Sequence, residues 1–236
     1  DKAVLVWGAG TFNIAVGETF NFTLPTGGAI LNKVGYTTAG GLAAVDTATI
    51  DGTLFSTGKV FLLANGNINI GGTAAITTNG GLFLSTLQET SDFSFSTVGA
   101  LSGTGASTGT ITIGAAGASP SISGLLDASA GAIVSHRAAV TGDVIYRTVT
   151  AASALDLAQS GLLSVGGNLT VTTNGGAISG TNAITVGGQV TGNQTATLST
   201  GVTSGAGVSV TLGNAANDFE IVSVNAVGTA ANVTLA

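Results

Sequence analysis

Residues Gly58 to Leu87 read GKVFLLANGNINIGGTAAITTNGGLFLSTL. An apolar run, Val60-Phe61-Leu62-Leu63, stops at Asn65-Gly66. Ile68 and Ile70 alternate with polar neighbours and stop at Gly71-Gly72. Ala74 and Ile76 repeat the pattern up to Asn79-Gly80-Gly81, and Leu82-Phe83-Leu84 begins again. Runs of a few residues punctuated by Asn-Gly and Gly-Gly predict many short β-strands joined by tight turns. Asn and Gly punctuate because both tolerate the positive φ that other side chains resist.

The same grammar extends in both directions. Val4 to Trp7 is apolar; Phe12, Ile14 and Val16 alternate, as do Phe20, Phe22 and Leu24. Period-two alternation predicts strands with one buried face. Residues 36–57 hold Gly40-Gly41 and then Leu42 to Ile50, which read as a short helix or as a loop and a strand. Residues 88–100, with Glu89, Asp92, Phe93 and Phe95, depart from the pattern. Ile111, Ile113, Ile122, Leu125-Leu126 and Ile133-Val134 restore it. Ala151 to Ala158 has helix formers and no Gly, and its surroundings favour a strand or bulge over one helical turn. Both prolines, Pro25 and Pro120, fall at turns. ITTNGG at Ile76–Gly81 returns as VTTNGG at Val171–Gly176, and Ile184 to Gly188 echoes Ile68 to Gly72. Val208 to Leu212 likewise resembles Ile221 to Val224. Self-similar units with Gly between them predict a solenoid, and at roughly 20 residues per rung the chain would wind about 10 to 12 rungs. The rod would then be roughly 50 Å long at the strand spacing.

The stretch 58–87 also resembles the amino-terminal secretion domain of filamentous-haemagglutinin-like exoproteins, the two-partner-secretion (TPS) family. The resemblance covers roughly residues 3 to 95. It runs through Trp7, Phe12-Asn13-Ile14, Gly17-Glu18, Phe20, Phe22, Pro25, Ala29, Leu31-Asn32-Lys33-Val34, Ile50, Gly52 and Leu54. It continues through Asn65, Gly66, Asn67, Ile68, Gly71, Gly80, Gly81, Ser85 and Thr86. The family has Asn-Pro-Asn-Gly-Ile where this chain has Ala64-Asn65-Gly66-Asn67-Ile68, with only the isoleucine kept in place. The resemblance implies an all-β fold, a right-handed parallel β-helix with an N-terminal capping region. Residues 1–95 would hold the cap and first rungs, and residues 96–236 further rungs of one continuous domain. It also implies export through the periplasm by an outer-membrane partner; since the chain opens at Asp1 with no basic segment followed by an apolar one, a signal peptide is expected to be absent or already removed.

Composition narrows the function. Hydrophobic residues make up 44% of the 236 and charged residues 7%, against about 25% charged in ordinary domains. The polar surface must therefore be Thr, Ser, Asn and backbone. Mean hydropathy is +0.56, yet Gly, Thr, Ser or Asn interrupts every run before the roughly 20 residues a spanning helix needs. With no cysteine there is no disulfide framework, thiolate metal site or thiol nucleophile. A net charge of −6 and five scattered cations (Lys2, Lys33, Lys59, Arg137, Arg147) argue against nucleic acid as partner.

Reactive side chains are sparse. His136-Arg137, followed by Asp143 and Arg147, is the one place where such types meet. His136 reads either as a general base in a cleft or, more simply, as a solvent-facing residue on a rung edge. A polysaccharide-cleaving β-helix would cluster carboxylates with bases or with Ca²⁺. Here Asp46 and Asp51, Glu89 and Asp92, and Asp218 and Glu220 stand isolated. Asn21, Asn168, Asn193 and Asn232 fit Asn-x-Thr, a pattern that chance supplies in so Asn- and Thr-rich a chain. No metal site, cofactor or catalytic residue is expected.

The expected protein is therefore secreted, non-catalytic and structural or adhesive. Its last segment, Asn232-Val233-Thr234-Leu235, still reads as a rung, and an open rung templates another strand. The leading expectation is a subunit that stacks head to tail on copies of itself in an extracellular filament or matrix. The alternative is the secretion domain of a larger two-partner-secretion adhesin, with a TPS transporter and a host or neighbouring-cell surface as partners. A polysaccharide-acting enzyme is third.

Overall fold

The computed structural model describes residues 2–8, 10–37, 45–87, 109–187, 194–201, 208–228 and 231–236. Among them there is no helix, and the strands wind as successive rungs of a parallel β-helix. Rung one is β1 (Lys2–Trp7), β2 (Phe12–Ile14) and β3 (Thr19–Phe22). Rung two is β4 (Ala29–Val34), β5 (Ala48–Ile50) and β6 (Thr53–Ser56). β7 (Lys59–Ala64), β8 (Ile68–Ile70) and β9 (Ala75–Thr78) form the third, and β10 (Leu82–Ser85), β11 (Thr110–Ile113) and β12 (Ser121–Ser123) the fourth. The fifth holds β13 (Leu126–Ala130), β14 (Ala132–Ser135) and β15 (Ala138–Val140). The sixth holds β16 (Val144–Thr148), β17 (Leu155–Asp156) and β18 (Leu163–Val165). β19 (Leu169–Thr173), β20 (Ile178–Ser179) and β21 (Ile184–Val186) follow, then β22 (Thr195–Ser199), β23 (Val210–Leu212) and β24 (Asp218–Phe219). The ninth rung has β25 (Ile221–Asn225) and β26 (Val233–Leu235).

Every first strand joins wall one, a nine-stranded parallel sheet from β1 to β25. Third strands form wall three, eight strands from β3 to β24. Wall two is a five-stranded ladder, β2 to β14, followed by a four-stranded one, β17 to β26, with β17 lying against β14. Among the described residues nine rungs stand against the 10 to 12 expected, because a rung is longer and less regular than 20 residues. Leu126 pairs with Val144, 18 residues on, whereas Leu82 pairs with Leu126, 44 residues on. At about 4.8 Å per rung the rod is roughly 40 Å long.

Alternation fills the lumen. One inward column runs Ala3, Ile30, Val60, Leu82, Leu126, Val144, Leu169, Ala196, Val222 along wall one. Its members from Ile30 to Ala196 are all 5% exposed or less. Two doubtful segments resolve as strand. Residues 48–56 hold β5 and β6, and the 151–158 segment holds β17 after a turn with Ala152 at φ 58°. Gly40-Gly41 and residues 88–100 lie outside the described residues.

The outside of wall one departs from the expected Thr/Ser/Asn surface. In rungs two to four most of its outward residues are apolar and buried: Leu31, Phe61, Leu63 and Phe83, with Tyr36 beside them. The Phe61 and Phe83 rings stack at 4.5 Å, and Lys33 Nζ stands 4.9 Å from the Tyr36 ring centre. Burial of both faces is why Val60-Phe61-Leu62-Leu63 is a continuous apolar run. From rung seven onward the same outward column turns to Thr170, Thr197 and Ser223, as expected.

Candidate functional site

The residues that carry the resemblance occupy corners and ladders. Trp7 closes β1; its indole N–H donates to Asn32 Oδ1 at 3.3 Å. Asn32, fully buried on β4, donates onward to the Phe61 carbonyl at 3.4 Å. Trp7, Phe12, Phe20 and Phe22 meet edge to face, at 5.3, 6.1 and 5.0 Å, and close the lumen over rung one. Aromatic edges and faces attract in this geometry beyond the area they bury.

Asn65, Gly66 and Asn67 form the first corner of rung three. The Asn65 N–H donates to the Val34 carbonyl at 2.9 Å. A Cβ on Gly66 would overlap the Asp46 carbonyl. The exposed Asn67 accepts from Ala48 N–H through its carbonyl and from Thr110 N–H through Oδ1, both at 2.9 Å, linking rungs two, three and four. Ile68, fully buried, begins β8. Gly71 and Gly80 are corner residues whose N–H groups donate to Ile50 and Gly58 carbonyls. Gly81 has φ +102°, which a side chain would strain. Buried Ser85 Oγ accepts from Leu87 N–H at 3.1 Å, and Thr86 Oγ1 donates to the Gly109 carbonyl at 3.1 Å. Asn32, Asn65, Asn67, Gly71, Gly80 and Thr86 thus hold one rung to the next.

The residues following His136 in sequence are spread around the rod. His136 and Arg137 form the corner between β14 and β15. Ser160 Oγ, one rung on, lies 3.2 Å from His136 Nδ1, and Arg137 Nη2 donates to the Ser160 carbonyl at 2.6 Å. Arg137 Nε is buried without a partner. Asp143 sits at another corner, accepting from Asn168 N–H at 2.7 Å. Arg147 faces outward on wall one and bonds Asp127, 2.5 Å away, with Ser129 at 3.3 Å. Asp218 and Glu220 lie at the last rungs, Glu220 accepting from Gln194 N–H at 2.5 Å. Glu89, Asp92 and Asn193 lie outside the described residues. Asn168 is tied into the ladder by accepting from Thr195 N–H at 3.0 Å. Among the described residues no three His, Asp or Glu side chains gather as metal ligands would.

Two features were missed in the sequence. Asp127 is one; its partner lies 20 residues away, about one rung, a spacing that tight turns do not mark. Burial holds its carboxyl above the ordinary carboxylate value, with the Arg147 charge and hydrogen bond pulling it down. The other is an inner threonine column, Thr148, Thr173 and Thr200, at the first corner. Thr148 and Thr173 donate to the Ser153 and Gly176 carbonyls, and Thr200 accepts from Val227 N–H at 2.9 Å. Buried chain leaving the wall is thereby satisfied.

The ion pair makes a test. Arg147→Met leaves Asp127 without its cation and destabilises the fold at pH 7 by about 1 kcal/mol, the half-exposed arginine limiting the loss. Since the Asp127 value is raised, its contribution is full below the unfolded carboxylate value and is lost as pH rises through the folded one. Asp127→Asn removes that loss, and the double variant shows no further cost in urea melts; equal losses with and without Asp127 would remove the pair from the account.

The two ends of the rod are the remaining concentration of unusual surface. Among the described residues β1 and β2 have a ladder partner on one side only, as do β25 and β26. Val4 and Leu5 are 48% and 38% exposed on the first rung; Ile221, Val233 and Leu235 are 41%, 48% and 48% exposed on the last. Phe219, Val222, Val224 and Ala226 lie partly buried at the mouth of the lumen. Asn232 is exposed, its carbonyl accepting from Val210 N–H at 2.9 Å. Comparison with protein families, with curated proteins and with solved structures finds no match for the chain.

Proposed function

We propose that the chain is a secreted, non-catalytic structural protein whose rod joins end to end in an extracellular filament or matrix. The observation that supports this reading is the gathering of large exposed apolar side chains on the first and last rungs, beside strand edges with no partner. Open ladders at both ends, and the apolar mouth at the last rung, favour continuation of the same stack. The low charge density offers little repulsion against it.

A second reading, the secretion module of a two-partner exoprotein, is favoured by the aromatic closure of rung one and by the corner roles of Asn65, Gly66 and Asn67. In that case an outer-membrane transporter engages the module and a cell surface is the eventual target. The enzymatic reading has less support: His136 meets Ser160, and Asp127 meets Arg147 on another wall.

Negative-stain electron microscopy of the 236-residue chain, with intact mass on the same sample, tests the proposal. The expected result is filaments with an axial repeat of roughly 40 Å. Dispersed short rods that stay monomeric at high concentration would overturn it and favour the secretion module.

A further inference from the structure

The strand register says how such a junction is built. We infer that β25 of one copy pairs in parallel with β1 of the next, Ser223 opposite Val4, while β26 lies over β2. The inference rests on the end-to-end reading above and specifies its interface; its partner is a second copy of this chain.

Three observations carry it. The first is continuity of the columns. The inward column beginning at Ala3 ends at Val222, the next outward one runs from Val4 to Ser223, and the next inward one from Leu5 to Val224. A coaxial copy that continues the walls therefore sets Val222 on Ala3, Ser223 on Val4 and Val224 on Leu5. A slip of one residue would turn the apolar row outward. The second is chemical complementarity in the lumen. Val222, Val224, Val233 and Leu235 present a shallow apolar mouth. The partly buried Trp7 and Phe20, packed over the buried Phe12, present a matching apolar surface. Val233 and Leu235 continue the inward positions of Val210 and Leu212 on wall two, the wall where Phe12 and Ile14 face inward in rung one. The third is charge. Ile221 holds the β25 position that Lys2 holds on β1, and Glu220 stands next to it at the corner, with Asp218 two residues back. Stacking brings that acidic corner to the exposed Lys2 of the following copy. Glu18, the acid among the described residues of the first rung, is at a different corner and accepts from Ala15 N–H at 2.8 Å. The pairing concerns walls one and two; the last described strand of wall three, β24, belongs to rung eight.

The chain has no cysteine, so introduced pairs report register directly. Val4→Cys with Ser223→Cys, both at exposed positions, sets Cα atoms about 4.8 Å apart across the junction, inside the usual disulfide range. Mild oxidation is expected to give a reducible ladder of dimers, trimers and longer species on a non-reducing gel. Val4→Cys with Ile221→Cys, and Val4→Cys with Asn225→Cys, displaced by two residues, are expected to stay mostly single chains. Filaments in the microscope whose cysteines link equally in displaced pairs, or not at all, overturn this register while leaving end-to-end assembly standing. Dispersed monomers overturn both and leave the open lumen to another partner. The charge element is tested separately: Glu220→Lys or Lys2→Glu raises the concentration needed for assembly about threefold at low salt, and the double reversal restores it. Two single reversals without effect would remove the ion pair from the junction.

Discussion

Gly176→Val destabilises the rod by about 3 kcal/mol or more, and in urea the midpoint falls with little change in slope. Gly176 follows β19 at the first corner, where rung seven passes under rung six. A Cβ there would overlap the Ser153 carbonyl and stand 2.8 Å from Ala154 N. The obstacle is backbone, so no side chain can swing aside. The Gly176 carbonyl also accepts from Thr173 Oγ1 at 2.5 Å, so shifting the corner loosens the inner threonine column as well. Cost on this scale belongs to overpacking in a tightly built interior. Gly213→Val is the comparison: a Cβ there has nothing within 4 Å, and it is expected to change stability by less than about 1 kcal/mol. Equal losses at the two positions would remove close packing as the cause.

Tyr146→Ala costs about 4 kcal/mol, the range for emptying an aromatic site in a packed core. Tyr146 is fully buried on β16, its ring filling lumen left by the small Ala128 one rung before and Val171 one rung after. Its hydroxyl is buried beside Ser135 without a full hydrogen bond, while Ser135 Oγ donates to the Leu157 carbonyl at 2.8 Å. Tyr146→Phe keeps the ring and drops that hydroxyl, so it is expected to match or exceed the parent at pH 7. The pair separate again in alkali. Burial pushes the Tyr146 hydroxyl up to about 12, with Ser135 opposing weakly. A value raised in the folded state gives stability that is whole below the unfolded tyrosine value, near 10, and lost as pH climbs towards the folded one. About 3 kcal/mol goes in that window, and Tyr146→Phe removes this part of the loss. Denaturant melts at pH 8 and pH 11 check it; a parent and a Phe variant that fall alike between them would sink the assignment.

How far the fold was legible follows from how the rod is made. All three walls use the same alternation, so strands could be read one by one but not assigned to walls. The repeat ITTNGG at residues 76–81 sits on β9 of wall three, whereas VTTNGG at 171–176 sits on β19 of wall one. Likewise Ile68–Ile70 lies on wall two and Ile184–Val186 on wall three. These echoes are strand-and-turn units rather than rungs, which is why no period could be fixed and why the rungs were overcounted. Contacts between rungs were less legible still. Asp127 with Arg147, His136 with Ser160 and Trp7 with Asn32 join residues 20, 24 and 25 apart. Only a known rung length would align them, and that length varies with every corner. The ends were more readable: aromatic residues crowd the first rung, and Val233-Thr234-Leu235 still alternates at the last.

The same ladder register shapes how the chain reaches its native state. Each wall strand pairs with one a whole rung away in sequence, 18 residues at the least and 44 at the most among the wall-one pairs. No strand in the described ladders is paired with its immediate neighbour in sequence. Loop closure must therefore precede almost every reward, the condition that slows folding in proteins of high contact order. Once two or three rungs exist, each further one lands on a finished template, and growth becomes a zipper with a costly first step. The aromatic cluster of rung one, Trp7, Phe12, Phe20 and Phe22, supplies local contacts where that first step is hardest. A polypeptide threaded out from its amino terminus would meet this nucleus first and then wind, rung upon rung, without waiting for its remainder.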